Sequence, residues 1–172
     1  MAKMMSPNTR IDWYPENGFA NASAPTVLEL NAGTNISCAI TTGFTLGFTD
    51  SDTDDSKSIC DEANVQNRGF DNYEASLSFF RAPIGATDAD SLAYEAARSL
   101  FKAQDRVTGW LVIRQGYKSG VAYADGQHVS IFKVMSDYAR DESGDGGAPI
   151  LFTVPFLQQG EGHPNIKLVT SP

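Results

Sequence analysis

Alternating apolar and polar residues predict a chain built mainly of β-strands. The alternation is clearest where Phe44, Leu46 and Phe48 are separated by Thr and Gly. Successive side chains of a strand point to opposite faces, so each such segment has one face suited to burial. The pattern predicts strands at residues 26–30, 35–42, 44–48, 73–81, 110–114, 128–136, 150–157 and 166–169. In 35–42 it places Ile36, Cys38 and Ile40 on one face.

Two of these segments, 128–136 and 150–157, are apolar on both faces. A single sheet in water would leave the second face of such a strand exposed. Burial by a second sheet or a helix of the same chain is the favoured interpretation. Burial against another subunit is the alternative.

Residues 88–102 carry the one clear helical pattern. Asp88 or Thr87 can cap its first turn, and Asp90 favours the positive end of the helix dipole. The predicted apolar stripe consists of Leu92, Ala93, Ala96, Ala97, Leu100 and Phe101. Its alanines indicate close contact with a sheet.

The order of elements is strands, one helix and strands again, which indicates an antiparallel α+β or β-sandwich fold. We expect residues 1–25, rich in Asn, Pro, Ala and Ser, to form an irregular N-terminal arm that docks through Trp13, Tyr14 and Phe19. Residues 26–172 are predicted to form a single domain, in which residues 116–126 form a turn-rich connector.

The charge of the chain is concentrated in two loops. The 172 residues carry a net charge of −8. Residues 50–62 hold six acids against one lysine, and residues 137–145 hold four acids against one arginine, so the remainder is neutral. Tight nucleic-acid binding needs clustered Lys and Arg, and so does binding to an anionic membrane. The charge therefore argues against both.

Catalytic chemistry is poorly represented in the sequence. The two histidines, His128 and His163, have no partner nearby in sequence, and no nucleophile elbow, phosphate loop or zinc motif is present. Cys38 and Cys60 are expected to be buried small apolar residues. No secretion signal is apparent, so we expect the chain to be made and kept in a cytoplasm. Carboxylate-only chemistry, such as glycoside hydrolysis, stays open.

The acidic loop that begins at Asp50 is about 18 residues long, which is unusual in a compact domain. Asp50, Asp52 and Asp54 match the first ligand positions of a calcium-binding EF-hand loop. The sixth position should be Gly and is Asp55, and the twelfth should be Glu and is Asp61. A solvated or subunit-facing loop is therefore favoured over a calcium site.

Residues 35–156 resemble the major tail tube proteins of long, non-contractile-tailed (siphovirus-type) bacteriophages, especially those of actinobacterial hosts. The resemblance lies in the order of the segments NISCAITTGFTLGFTDSDTDDSKSICDE, FDNYEASLSFFR, DADSLAYEAARSLF, GWLVIRQG, GQHVSIFKVMSD and ILFTVPFLQQG. It covers about 70% of the chain.

The resemblance implies an antiparallel two-sheet β-sandwich or barrel flanked by a single α-helix, with a long loop between early strands. It implies a structural virion protein, assembled in the host cytoplasm, whose hexameric rings stack into a hollow tail. That tube would be built around a tape measure protein and would pass the phage DNA without binding it, with no cofactor, metal, membrane or active site. The residues expected to contact neighbouring subunits are those of the acidic loop, namely Asp50, Asp52, Asp54, Asp55, Lys57, Asp61, Glu62 and Arg68.

Other readings remain open at the level of sequence. One is a β-sandwich that binds calcium or carbohydrate through its acidic loops. Another is a different ring-forming virion part, such as a tail terminator or the inner tube of a contractile injection machine. In a ring, the acidic loops could pair with arginines of a neighbour, and the candidates are Arg68, Arg81, Arg106 and Arg114.

Overall fold

The computed structural model describes residues 8–54, 60, 67–101, 106–142 and 146–170. Its helices are α1 (Val27–Asn31), α2 (Ala89–Phe101) and a short 3-10 helix (Ser37–Ala39). Its strands are β1 (Thr9–Pro15), β2 (Thr34–Asn35), β3 (Thr45–Phe48), β4 (Thr53–Asp54), β5 (Asn67–Arg68), β6 (Tyr73–Phe80), β7 (Thr108–Gln115), β8 (His128–Ser136), β9 (Arg140–Glu142) and β10 (Leu151–Lys167).

Eight strands form one continuous sheet in the order β2-β1-β7-β8-β10-β6-β3, with β9 paired to β10. Every neighbouring pair is antiparallel, and β4 and β5 form a separate two-stranded ribbon. The fold class predicted from sequence is therefore confirmed: a mainly β, antiparallel chain with one substantial helix.

The sheet folds back on itself, so its two ends pack face to face around one core. That core joins Ile11 and Trp13 of β1 to Leu77 and Phe79 of β6. The Trp13 ring lies 6.3 Å from the ring of Phe156 in β10, measured between centroids. Phe101 of α2 packs edge-on against Trp13, at 5.1 Å. The result is a sandwich made from one sheet.

Strand β10 connects the two ends of the sandwich. Residues 151–156 pair with β6, and residues 156–167 pair with β8. The second pairing is interrupted by two register shifts, between Gln158 and Gly162 and between His163 and Ile166. Extra residues at such bulges bend a strand and increase its twist, which is how one strand can serve both layers.

The outer faces of the two layers differ. We call β2, β1, β7 and β8 the covered half, because a second apolar core lies on their outer face. That core includes Tyr14, Val112 and Ile131, and the same chain covers it with Leu30 and Leu168. Hence both faces of β8 are buried within the subunit, as the sequence favoured.

We call β6, β3 and residues 151–157 of β10 the open half. Its inner face carries Phe152, Val154 and Phe156, which are buried. Its outer face carries Leu157, which is 43% exposed. Burial within the chain, the favoured interpretation for residues 150–157, is therefore wrong for Leu157 on the outer side of this strand, because α2 packs on this face at its far edge, where Tyr94 contacts Phe80.

Two predicted strands are helical instead. Residues 26–30 form the N-cap and most of α1, where Thr26 and Glu29 make a reciprocal capping box and Leu30 is completely buried. The prediction failed because a capping box followed by one apolar turn resembles alternation over five residues. Residues 35–42 form the end of β2 and the 3-10 helix, which buries Ile36 and Ala39 and exposes Cys38.

The expectation of an irregular N-terminal arm is wrong for Thr9–Pro15. This segment is β1, which pairs with all of β7 from Thr9 opposite Gln115 to Pro15 opposite Gly109. Its aromatic residues do dock, since Trp13 and Tyr14 are buried. Residues 16–25 contain no helix or strand, as predicted.

Helix α2 confirms the predicted helix, and its buried face overlaps the predicted apolar stripe at Ala97 and Phe101 but is rotated away from Leu92. The side chains of Ser91, Ala97 and Phe101 are buried, whereas Leu92 is 57% exposed. Asp88 caps the helix, because its Oδ1 accepts a hydrogen bond of 3.0 Å from the Ser91 amide. The shift of face arises because α2 covers the end of the sandwich and the 3-10 helix rather than a flat sheet.

Candidate functional site

The acidic loop begins as an extension of the hairpin between β3 and β6. Beyond the sheet, the Thr49 amide donates to the Asn72 carbonyl at 2.9 Å, and the Asp52 amide donates to the Phe70 carbonyl at 3.0 Å. Strands β4 and β5 continue the ladder, with Thr53 opposite Arg68. We call residues 50–54 and 67–72 the acidic hairpin. Of the predicted contact residues, Asp55, Lys57, Asp61 and Glu62 lie outside the described residues.

The predicted residues that are described are brought together by side-chain hydrogen bonds. Arg68 forms an ion pair with Asp71 and donates through Nε to Ser51 Oγ at 3.2 Å. On the neighbouring side, Asn72 Nδ2 donates to Asp52 Oδ1 at 2.9 Å and to the Asp50 carbonyl at 3.3 Å. Exposed pairs of this kind stabilise a ribbon only modestly. They do give the hairpin a defined shape.

The base of the acidic hairpin is tied to β10. Gln158 Nε2 donates to the Asp71 carbonyl at 2.8 Å, and its Oε1 accepts from the Tyr73 amide at 3.2 Å. Glycine is needed at position 69 because the two segments of the hairpin lie close together there. A Cβ at this position would lie 2.9 Å from the Asp52 carbonyl oxygen. The hairpin is thus anchored to the sandwich at one end.

Phe70 is the residue of this hairpin that the sequence analysis missed. Its side chain is 82% exposed, although it lies between Gly69 and Asp71 at the anchored base. By contrast Phe48, on the adjacent strand, packs against Phe132 with ring centroids 5.0 Å apart. An exposed Phe beside a charged ribbon is the kind of residue that contacts a partner.

The calcium interpretation gains no support from the described residues. Asp52 already accepts a hydrogen bond from Asn72, and no group of three or more His, Cys, Asp or Glu side chains among the described residues could hold a metal ion.

Two clefts of about 480 and 300 Å³ flank β3, and neither has the residues of a hydrolase site. The larger is lined by apolar residues and by polar ones that include Gln127, His128 and Asn165, and the smaller by Ile11, Cys38 and Phe44 among others. No Asp or Glu of the described chain lines either cleft. Glycoside hydrolysis needs a pair of carboxyl groups, so these clefts do not suit it.

The four candidate arginines have different surroundings. Arg68 belongs to the acidic hairpin, and Arg81 lies 3.5 Å from Asp141 of its own chain. Arg106 is exposed and lies over the Tyr138 ring. Arg114 is completely buried, so its proposed pairing with a neighbouring subunit is wrong.

Arg114 instead organises the connector, residues 116–126. Its NH1 and NH2 groups donate to the carbonyls of Lys118, Val121 and Ala122 at 2.8–3.1 Å. NH1 also donates to Gln127 Oε1 at 3.0 Å. The guanidinium supplies several donors in a fixed plane, which suits it to holding a loop without regular structure.

Two further charged groups lie next to Arg114 on the outer face of the covered half. Arg10 pairs across the strands with Arg114 and donates through Nε to Asp12 at 2.8 Å. Burial raises the pKa of the Asp12 carboxyl, although Tyr123 and Arg10 favour its ionised form. The sequence signal for this cluster was the alternation of Arg10, Asp12 and Tyr14, within a segment expected to be irregular.

Both cysteines are exposed, so the expectation that they are buried is wrong. No helix among the described residues is long and apolar enough to cross a membrane.

A family model described as "Phage tail tube protein" matches residues 1–171. No curated protein matches the chain. Among solved structures, a chain of the anti-feeding prophage (AFP) baseplate, determined by cryo-EM with 6-fold symmetrisation, is similar with a TM-score of 0.49. The two share 12% sequence identity over 95% of each chain, and we base no conclusion on a similarity of this size.

Proposed function

Because the chain belongs to the phage tail tube protein family, we propose that this structural tail protein is the major subunit of the tail tube. Hexameric rings of the chain stack into a hollow tube, assembled in the host cytoplasm around a tape measure protein. The phage genome passes through the finished tube without being bound. The subunit has no catalytic role in this proposal.

The family match over residues 1–171 is the observation that carries the proposal. Three features of the subunit are consistent with it. The open half leaves most of one sheet face uncovered, β3 is an edge strand with β6 as its sheet partner, and the acidic hairpin exposes Phe70. Each is a surface that assembly with further copies could use.

We propose that the acidic hairpin makes contacts between subunits. Phe70 is the anchor of this contact, and Asp50, Asp52, Asp54 and Arg68 surround it with charge. Asp55, Lys57, Asp61 and Glu62, which lie outside the described residues, belong to the same proposed contact. Aromatic side chains are enriched among the residues that dominate interfaces, whereas exposed charges at the rim contribute mainly to specificity.

Electron microscopy of the purified full chain tests the function. We expect stacked rings with six-fold symmetry in end views and long tubes in side views. Phe70→Ser should abolish tubes while leaving the far-UV circular dichroism unchanged, because Phe70 is 82% exposed in the single subunit. Leu28→Ser is the matched control, since Leu28 is 81% exposed on α1 and should assemble like the wild type.

Other outcomes would redirect the proposal. Single rings that never stack would point to a tail terminator. A chain that stays monomeric at high concentration, with tape measure protein added, would contradict the tube. Equal loss of tubes in Phe70→Ser and Leu28→Ser would remove the specific role of the acidic hairpin.

A further inference from the structure

The outer face of the open half has an unusual composition for an uncovered sheet. Its residues are Thr45 and Gly47 of β3, Glu74, Ser76, Ser78 and Phe80 of β6, and Leu151, Thr153, Pro155 and Leu157 of β10, with the Phe80 ring packed against Tyr94 of α2 at one edge. Most are short, and several carry a hydroxyl group. The corresponding face of the covered half carries Tyr14, Trp110 and Val112, which the chain itself buries.

Hydrogen bonds between neighbouring strands hold the short side chains close to the sheet. The hydroxyl groups of Ser78 and Thr153 lie 2.6 Å apart, and Thr153 also donates to Glu142 of β9. Ser76 lies at the middle of the face, opposite Thr45 on one side and Pro155 on the other. Because most side chains of the face are short and the Ser78 and Thr153 hydroxyl groups are hydrogen-bonded within the sheet, few projecting groups are available to bind a ligand.

The charge of this face is unfavourable for a polyanion. Glu74 is exposed at one end of the face, and at the other end Glu142 lies beside Arg140, which is opposite Thr153. The residues that β3, β6 and β10 contribute to this face, from Thr45 on one edge to Leu157 on the other, include no Lys or Arg. Nucleic acids gain affinity mainly where Lys and Arg displace counterions from phosphates. A face whose arginine, Arg140, lies at the edge in the same short strand as Glu142 would let DNA pass without holding it.

The other surfaces of the described chain are less suitable. The connector presents Tyr117 and Lys118, and the cover of the second core exposes Leu28 and Val169. The acidic hairpin projects from the sandwich and exposes Phe70. Side chains that project or carry a positive charge would obstruct or retain a moving polyanion.

We propose that the outer face of the open half lines the channel of the assembled tube and is the surface along which double-stranded DNA slides. The inference rests on the proposed function, because it needs a tube. It goes further by assigning one face of one sheet, centred on Ser76, to the channel. It also assigns the cover of the second core, with Leu28, to the outside.

Cysteine labelling of assembled tubes tests this assignment. Ser76→Cys and Leu28→Cys are made in a chain with Cys38→Ser and Cys60→Ser, and each is treated before and after assembly with a small maleimide and with a maleimide on a bulky polymer. Modification at each position is read by peptide mass spectrometry, and urea unfolding verifies that each variant folds.

In tubes, we expect residue 76 to react with the small reagent and to resist the bulky one, which cannot enter a narrow channel. Residue 28 should react with both. Labelling of residue 76 by the bulky reagent would place it outside, and protection from both reagents would place it in a subunit contact. Either result overturns the assignment while leaving the tube intact. Absence of tubes in the unmodified chain would instead contradict the proposed function.

Discussion

The two halves of the sheet share one core but differ on their outer faces. The covered half buries Arg10, Asp12 and Arg114 beneath an irregular segment of its own chain. The outer face of the open half is covered by the described chain at one edge, where Tyr94 of α2 contacts Phe80, and its centre carries Ser76, Ser78 and Thr153. Buried charge is tolerated only where hydrogen bonds satisfy it, whereas an exposed sheet face needs only polar or short side chains.

The comparison indicates a division of roles within one subunit. On the covered half, polar groups determine the fold, because they fix a connector that has no helix or strand. On the open half, the polar side chains hold no other segment of the chain in place. Their composition can therefore suit the assembly of subunits and the passage of DNA. Substitutions on the two halves should therefore change different properties.

The largest effect is expected for Arg114→Met. This change removes the donors to the part-buried carbonyls of Lys118, Val121 and Ala122 and to Oε1 of the buried Gln127. The free energy of unfolding should fall by about 3 kcal/mol or more, measured by urea denaturation. Arg140→Met is the matched control on an exposed strand and should change it by less than about 0.5 kcal/mol. Similar losses in the two variants would contradict the structural role of the buried arginine.

A smaller, pH-dependent effect is expected for Asp12→Asn. The pKa of Asp12 is raised above 3.8 by burial, so the folded chain holds this proton more tightly than the unfolded chain. The stability that protonated Asp12 contributes is complete below the unfolded pKa and is lost as the pH rises through the folded pKa. The free energy of unfolding of the wild type, relative to Asp12→Asn, should therefore fall as the pH rises from 3 through this window.

Asp88 provides the control of opposite sign. Hydrogen bonds from Ser91 lower the pKa of its carboxyl, so its contribution is present above the unfolded pKa and is lost as the pH falls. Relative to Asp88→Asn, the wild type should gain stability as the pH rises. If both differences had the same sign, burial would not be the dominant influence on Asp12.

The smallest effect on stability is expected for Ser76→Lys. Ser76 is only partly buried on an open sheet face, so the free energy of unfolding should change by less than about 0.5 kcal/mol. The functional effect should be larger, because a ring of added lysines would retain DNA. Tubes assembled with short duplex DNA should protect it from nuclease at low salt and release it at high salt.

In the nuclease experiment, Leu28→Lys is the control that distinguishes the channel surface from the outer surface of the tube. DNA held by lysines on the outside of the tube would stay open to the nuclease, so Leu28→Lys should give no protection. If Ser76→Lys also bound DNA without protecting it, residue 76 would not face the channel.

The sequence alone determined the strands with regular alternation. Strands β3, β6, β7 and β8 and helix α2 lie where the pattern predicted them. Strands β6, β7 and β8 bury apolar side chains along most of their length, and β3 packs the partly buried Leu46 against the core. The order of these elements also sufficed for the fold class and for the resemblance to phage tail tube proteins. The negative charge of the loop from Asp50 was equally a property of the sequence.

The tertiary structure decided what short or polar segments do. Residues 9–15 alternate Arg10, Asp12 and Tyr14 with Ile11 and Trp13, so their strand was visible only from the backbone pairing with β7 and the ion pair between Arg10 and Asp12. Residues 26–30 became a helix through a capping box and the burial of Leu30. Likewise the sequence showed that residues 150–157 are apolar on both faces, but only the folding back of the sheet determined which face is inside. Pairing across the sheet joins residues that are far apart in the chain. The local alternation of apolar and polar residues does not show which residues those partners are.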